Sequence, residues 1–189
     1  CSLLFDDDGK IYIAYGNGNI WLTELDANLS GPLKGGLHRM IVSDEGNTVL
    51  GYEGSHIYKI HGRYYIFLIH SRRDRWMRIQ ACYTAETLEG EFHGRDVLED
   101  DRGYCGQGVA QGGIVDTREG LWYAVLFQDY GAVGRVPILV PVRWVKNYPV
   151  FGDCGRIPEN IETQSTRPGY IYQPLAGSDD FICRPDQNG

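Results

Sequence analysis

Apolar and polar positions alternate along this chain in short runs that glycine interrupts at regular intervals. The runs are four to eight residues long and rich in Ile, Val, Tyr, Phe and Trp. Alternation of period two between turn signals marks β-strands, and the longer period of an amphipathic helix is almost absent. Residues 2–5 and 10–15, joined through Asp7-Asp8-Gly9, are expected as a hairpin, because Asp-Gly suits the turn twist of paired strands. Residues 19–25 and 39–42 are the expected third and fourth strands. The same order recurs at 55–60, 63–70, 77–84 and 96–98 around the turn His61-Gly62. It recurs again at 113–116, 121–127, 136–145 and 149–151 around Glu119-Gly120. The turn glycines Gly9, Gly62 and Gly120 are 53 and 58 residues apart.

A four-stranded unit with that period is the signature of a β-propeller. The expected fold class is therefore all-β, with three blades over residues 1–152. Propellers use about four to eight blades, so further blades are expected upstream of Cys1. Residues 153–189 hold proline, glycine and polar residues with little alternation, and read as an extended strap or linker.

Composition narrows the function. Hydrophobic residues make up 42% and charged residues 23%, which argues against disorder. The net charge is −7, with no basic patch beyond Arg72-Arg73-Asp74-Arg75, so no nucleic-acid partner is expected. No apolar run approaches the roughly 20 residues of a membrane-spanning helix, so no membrane is expected either. Five scattered cysteines without a CxxC pair argue against a metal site. They suit buried free thiols in a reducing compartment, which favours the cytoplasm slightly over secretion.

The repeat also places candidate chemistry. Inner strands of a propeller line its axis, so equivalent positions should converge there. Nine residues before the turn glycines stand Glu53, Gln111 and, in the first unit, the residue before Cys1. Glycoside hydrolysis needs two carboxyl groups flanking the scissile bond. One must keep its proton near neutral pH, through burial or a like charge. Glu53, followed by Gly54, is the candidate acid; the plain alternative is a solvated Glu at a strand end.

The run Tyr52-Glu53-Gly54-Ser55-His56-Ile57-Tyr58-Lys59-Ile60 closely resembles the general-acid motif of glycoside hydrolase family 43. That family includes β-xylosidases, α-L-arabinofuranosidases and arabinanases on a five-bladed propeller. The run from Cys1 to Lys10 resembles the segment that directly follows the aspartate tuning the acid. Gly134-Arg135, Val140-Pro141-Val142-Arg143-Trp144 and Tyr148-Pro149-Val150 resemble the last-blade motif. The resemblance spans about residues 1 to 152, in order. It implies an inverting mechanism with a base Asp, a tuning Asp and the acid, of which the chain carries only the acid, Glu53. The tuning Asp would stand immediately before Cys1 and the base further upstream. A β-sandwich domain downstream is a further possible partner.

The resemblance implies that Arg135 holds a neighbouring carboxylate ionised and binds a sugar hydroxyl. Gln111 stands where many members carry a histidine near an axial cation. Its neutral amide is a weaker ligand, so an axial calcium is doubtful and no cofactor is expected to be required. His56 could contact sugar or make a structural hydrogen bond, and Asp129 could line the cavity or form a turn. His38, His61, His70 and His93 are expected to be structural. Trp21, Trp122 and Trp144 should pack between blades, and Trp76 could stack on a sugar. The expected activity is release of terminal xylose or arabinofuranose from plant cell-wall xylan, arabinoxylan or arabinan. The alternatives are a sugar-binding relic that has lost its base and a non-catalytic interaction propeller.

Overall fold

The computed structural model describes residues 1–44, 46–161, 163 and 169–171. The strands are β1 (Ser2–Phe5), β2 (Ile11–Asn17), β3 (Asn19–Leu25), β4 (His38–Ser43), β5 (Glu53–Ile60), β6 (Arg63–Ser71), β7 (Arg78–Ala85), β8 (His93–Leu98), β9 (Ala110–Asp116), β10 (Trp122–Asp129), β11 (Arg135–Val145) and β12 (Tyr148–Phe151). They form three four-stranded sheets, ordered β1-β2-β3-β4, β5-β6-β7-β8 and β9-β10-β11-β12, with every pairing antiparallel. A single 3-10 turn, Gly131–Val133, is the only helix among the described residues. No helix there is long and apolar enough to cross a membrane.

Side-chain alternation in β6 holds the sheets together. Tyr64, Ile66 and Leu68 belong to the core shared with the first sheet. Tyr65 and Phe67 belong to the core shared with the third. Successive side chains of a strand point to opposite faces. A run of six large apolar residues, Tyr64 to Ile69, therefore serves a sheet covered on both sides, and all six are buried. Leu4, Ala14, Ile20 and Leu22 meet it from the first sheet, and Ala124, Leu126, Val140 and Phe151 from the third.

The hairpins follow their turn residues. His61 and Gly62 both have positive φ, 51° and 76°, and join the paired residues Ile60 and Arg63 in a two-residue loop. Positive φ at both central positions is the turn that matches the right-handed twist of paired strands. Lys146 and Asn147 (48° and 60°) do the same between Val145 and Tyr148 without a glycine, which alternation alone does not reveal. The strands reach further toward one end of each sheet than the sequence pattern suggests. β5 starts at Glu53 and β9 at Ala110, because pairing resumes beyond a register shift next to Gly54 and Gly112.

The cysteines, tryptophans and His70 meet their expectations only in part. Cys82 is a buried thiol, but Cys1, Cys105 and Cys154 are exposed, and all four are free; Cys183 lies outside the described residues. Trp122 and Trp144 pack edge to face between the second and third sheets, with Tyr65 against Trp144. Trp21 instead stacks on His38 within the first sheet, at 5.1 Å between centroids. His70 is held by Asp96 at 2.7 Å and faces Asp44 at 3.4 Å. The start of the strap turns back onto the second sheet: the Glu99 N–H donates to the Gly155 carbonyl, and Ile157 N–H to the Asp100 carboxylate. Most of residues 162–189 lie outside the described set.

The seam between the first two sheets carries a polar clamp. Asp6 accepts from Lys59 Nζ and from the Tyr64 hydroxyl, both at 2.5 Å. Burial alone would raise its carboxyl pKa, but those hydrogen bonds, that from Asp7 N–H and the Lys59 charge outweigh it and hold the value low. Asp6→Asn is expected to cost about 1–3 kcal/mol of unfolding free energy at pH 7. A depressed carboxyl contributes fully above its unfolded value of about 3.9 and loses that contribution as pH falls through the folded value. Urea unfolding of both proteins at pH 7 and pH 3 should show the difference shrinking in acid.

Candidate active site

Glu53 opens β5, the strand that touches both neighbouring inner strands, β1 and β9. The register shift after it separates Glu53, opposite Ile69, from the regular pairing that resumes at His56. Such an irregularity re-aims a side chain at a strand end. Asn17, at the end of β2 in the first sheet, donates its Nδ2 to Glu53 Oε2 at 3.0 Å. One carboxyl oxygen is thus fixed by the adjacent sheet.

The third sheet repeats the irregularity. Ala110 stands opposite Phe127, and regular pairing resumes at Gly113. Matching the two shifts places Gln111 level with Gly54 and Ala110 level with Glu53. Counting back from the turn glycines is therefore off by one, because five residues, Thr117 to Leu121, join the third hairpin against two in the second. Gln111 still reaches the acid's strand. A Cβ added to Gly54 would lie 2.9 Å from Gln111 Cγ and Nε2, so the amide occupies the space beside Glu53-Gly54. Gln111 itself has φ +65°, and its N–H donates at 2.7 Å to the Oε1 of fully buried Gln80.

A charged group stands alongside. Arg78, whose side chain is 3% exposed, places Nη1 2.9 Å from Asp129 Oδ2. It also donates to the Ala110 carbonyl. Arg135 approaches the other oxygen of Asp129 at 3.4 Å from a largely exposed position. Both guanidinium carbons lie over the Phe127 ring, at 4.4 and 4.6 Å. Burial lowers the Arg78 pKa first of all; Asp129 opposes that, Arg135 adds to it, and Glu53 opposes it. Glu53 therefore lies within electrostatic reach of this group. Two cations sharing one carboxylate leave a net positive charge in this group, and its exposed member, Arg135, suits sugar hydroxyls or a second carboxylate.

The structure thus brings Glu53, Gln111, Asp129 and Arg135 to one end of adjoining sheets. Asp129 is a charged anchor and not merely a turn former. His56 lies beyond the bulge, packed on Gly113, where an added Cβ would fall 3.1 Å from Nδ1. Burial holds its imidazole below the ordinary range, so it is neutral at pH 7. Sequence reading missed Asn17, Gln80 and Arg78. Arg78 carried a signal, since a charge opens an otherwise apolar strand; Asn17 carried none, because its role depends on the packing of two sheets. The described residues contain no group of three or more His, Cys, Asp or Glu suited to a metal ion, and the Gln111 amide packs on Gly54.

The model of the glycosyl hydrolases family 43 matches residues 1–149. The chain belongs to family 43. A relative from Xylanibacter ruminicola is 32% identical, over 84% of this chain and 30% of its own. A Butyrivibrio fibrisolvens protein named "Xylosidase/arabinosidase" is 29% identical, over 85% of this chain and 35% of its own. A solved structure described as a bifunctional GH43-CE protein of Bacteroides eggerthii is 41% identical with a TM-score of 0.75, covering 88% of this chain and 22% of that one. The chain thus spans about a third or less of these relatives. As in other family 43 structures, its sheets are blades of a β-propeller.

In this family 43 chain Gly54 meets two constraints, a φ of +64° and the Gln111 side chain. Gly54→Ala is expected to lose about 1–2 kcal/mol, set chiefly by the left-handed backbone, since the end of a glutamine can move. Chemical unfolding of Gly54→Ala with and without Gln111→Ala checks this: the second change should recover only a minor part.

Proposed function

We propose that the chain carries the general acid of an inverting glycosidase releasing terminal xylose or arabinofuranose from plant cell-wall polysaccharides. The observation that carries the reading is Glu53 at a strand mouth, with one oxygen on Asn17 and the Arg78–Asp129–Arg135 group beside it. Glu53 gives its proton to the leaving oxygen, while Arg135 and Gln111 hold the sugar and buried Arg78 anchors Asp129. The pentose is supported by the name of the Butyrivibrio relative. The tuning and base carboxylates come from residues preceding Cys1. Support for the first lies in the start of β1: Ser2 Oγ accepts from Ile57 N–H at 2.8 Å. The residue before Cys1 would therefore stand close to the acid's strand.

A five-bladed ring completes the proposal. The outward faces of the first and third sheets expose apolar residues in strand alternation: Leu3 and Phe5 on one, and Val125 with its partner Leu139 on the other. Exposed apolar surface of this kind marks an interaction face, and flanking blades of the same protein would cover it.

Two measurements test the reading. In the longer protein, Glu53→Gln is expected to slow xylobiose hydrolysis by about 10²–10⁴-fold. It should slow activated aryl glycosides much less, because their leaving groups need no proton. Equal, small losses on both would remove Glu53 from the acid's role. The 189-residue chain by itself should hydrolyse neither xylobiose nor an aryl arabinofuranoside above a Glu53→Ala control; turnover above that control would refute the division of carboxylates proposed here.

A further inference from the structure

We infer that the seam between the second and third sheets holds a second saccharide site, one that takes a carboxylate-bearing sugar. A groove of about 670 Å³ runs between the outer strands β8 and β12, within the 300–1,000 Å³ usual for small-molecule sites. Four arginines line it: Arg72, Arg95, Arg143 and Arg156. The chain as a whole is acidic, at −7, so the concentration of cations here is local. The acids in the groove are already committed, Glu99 to Arg72 at 2.5 Å and Asp96 to His70 at 2.7 Å. Among the described residues, Arg95, Arg143 and Arg156 have no carboxylate in salt-bridge contact.

The walls are fixed from both sheets. The Tyr148 hydroxyl donates to the Cys82 carbonyl at 2.6 Å and accepts from Arg95 N–H at 3.1 Å, tying β12 to β8. The Arg95 guanidinium lies 4.5 Å from the Tyr148 ring centroid, and Arg143 Nη2 contacts Cys154 Sγ at 3.3 Å. Planar guanidiniums held in place and left unpaired suit a carboxylate, which they grip through two parallel hydrogen bonds. The groove also begins at the catalytic end of the sheets. Arg72 and Glu99 follow the ends of β6 and β8, and Ser71 at the end of β6 pairs with Arg78. A glycan at the Glu53 end could therefore lay an acidic branch along the seam.

The choice of a saccharide over other carboxylates rests on the glycosidase reading; the presence of the site does not. Calorimetric titration of the 189-residue chain carrying Glu53→Gln tests both. The probes are an aldobiuronic acid (glucuronic acid linked to xylose), xylobiose and sulfate. The acidic disaccharide is expected to bind at least about tenfold more tightly than xylobiose and to weaken as salt rises. Arg143→Ala and Arg95→Ala should each remove that advantage, and Arg143→Lys, which keeps charge but not the planar fork, should restore part of it. Equal binding of sulfate would overturn the proposal in favour of a general anion patch. Displacement of the acid by xylobiose would put it in the Glu53 site and overturn the second site alone. Residues beyond 161 include Glu162, Asp179 and Asp180. Binding seen only in a chain ending at residue 161 would make that tail the occupant and overturn the proposal as well.

Discussion

Everything in this structure depends on a sheet that is buried on both faces. β6 sends alternate side chains into two different cores, so the second sheet has no polar face to turn to water. Its stability is inseparable from that of its neighbours. The first and third sheets differ, each with one face in a core and one face with exposed apolar residues. The hydrophobic term scales with apolar area removed from water. The described sheets therefore leave part of that potential unrealised on their outward faces, and the middle sheet is the best anchored. Glu53 stands on the middle sheet.

The acid's surroundings come from different sheets. Asn17 belongs to the first, Arg78 to the second, and Gln111, Asp129 and Arg135 to the third. Loss of registry at either seam would change the hydrogen bond on Glu53 or the charge beside it before any strand came apart. The polar clamp of Asp6 with Lys59 and Tyr64 lies at the opposite end of the first seam from Asn17, so that seam is pinned at both ends.

Strands and their order were legible in the sequence because alternation and turn glycines are local signals. The twelve strands fall where the pattern put them, within a few residues. The discrepancies gather where backbone geometry breaks the rule of two. Alternation leaves Glu53, Gly54, Gln111 and Gly112 outside or at the margin of strands, because a bulge interrupts alternation without ending the pairing. The same blindness misplaced Gln111 by one position, since loop length is invisible to a count made from turn glycines. Glu53 was legible through its family motif and Arg135 through the last-blade motif. Arg78, Asn17 and Gln80 were not, because each acquires its partner across sheets 30 or more residues away in sequence. The exposed thiols of Cys105 and Cys154 were likewise unreadable, since exposure in a loop follows from the packing around it.

Gly54 and Gln111 share one volume. They occupy matching seats in successive repeats, and the amide of one fills the space that a side chain on the other would need. The dependence runs one way. The left-handed backbone holds position 54 to glycine whatever stands at 111. A group as large as glutamine at 111 has its space only because 54 is bare. The identity of the group beside the acid is then free to vary in the neighbouring repeat, up to the size that the bare backbone of this one admits.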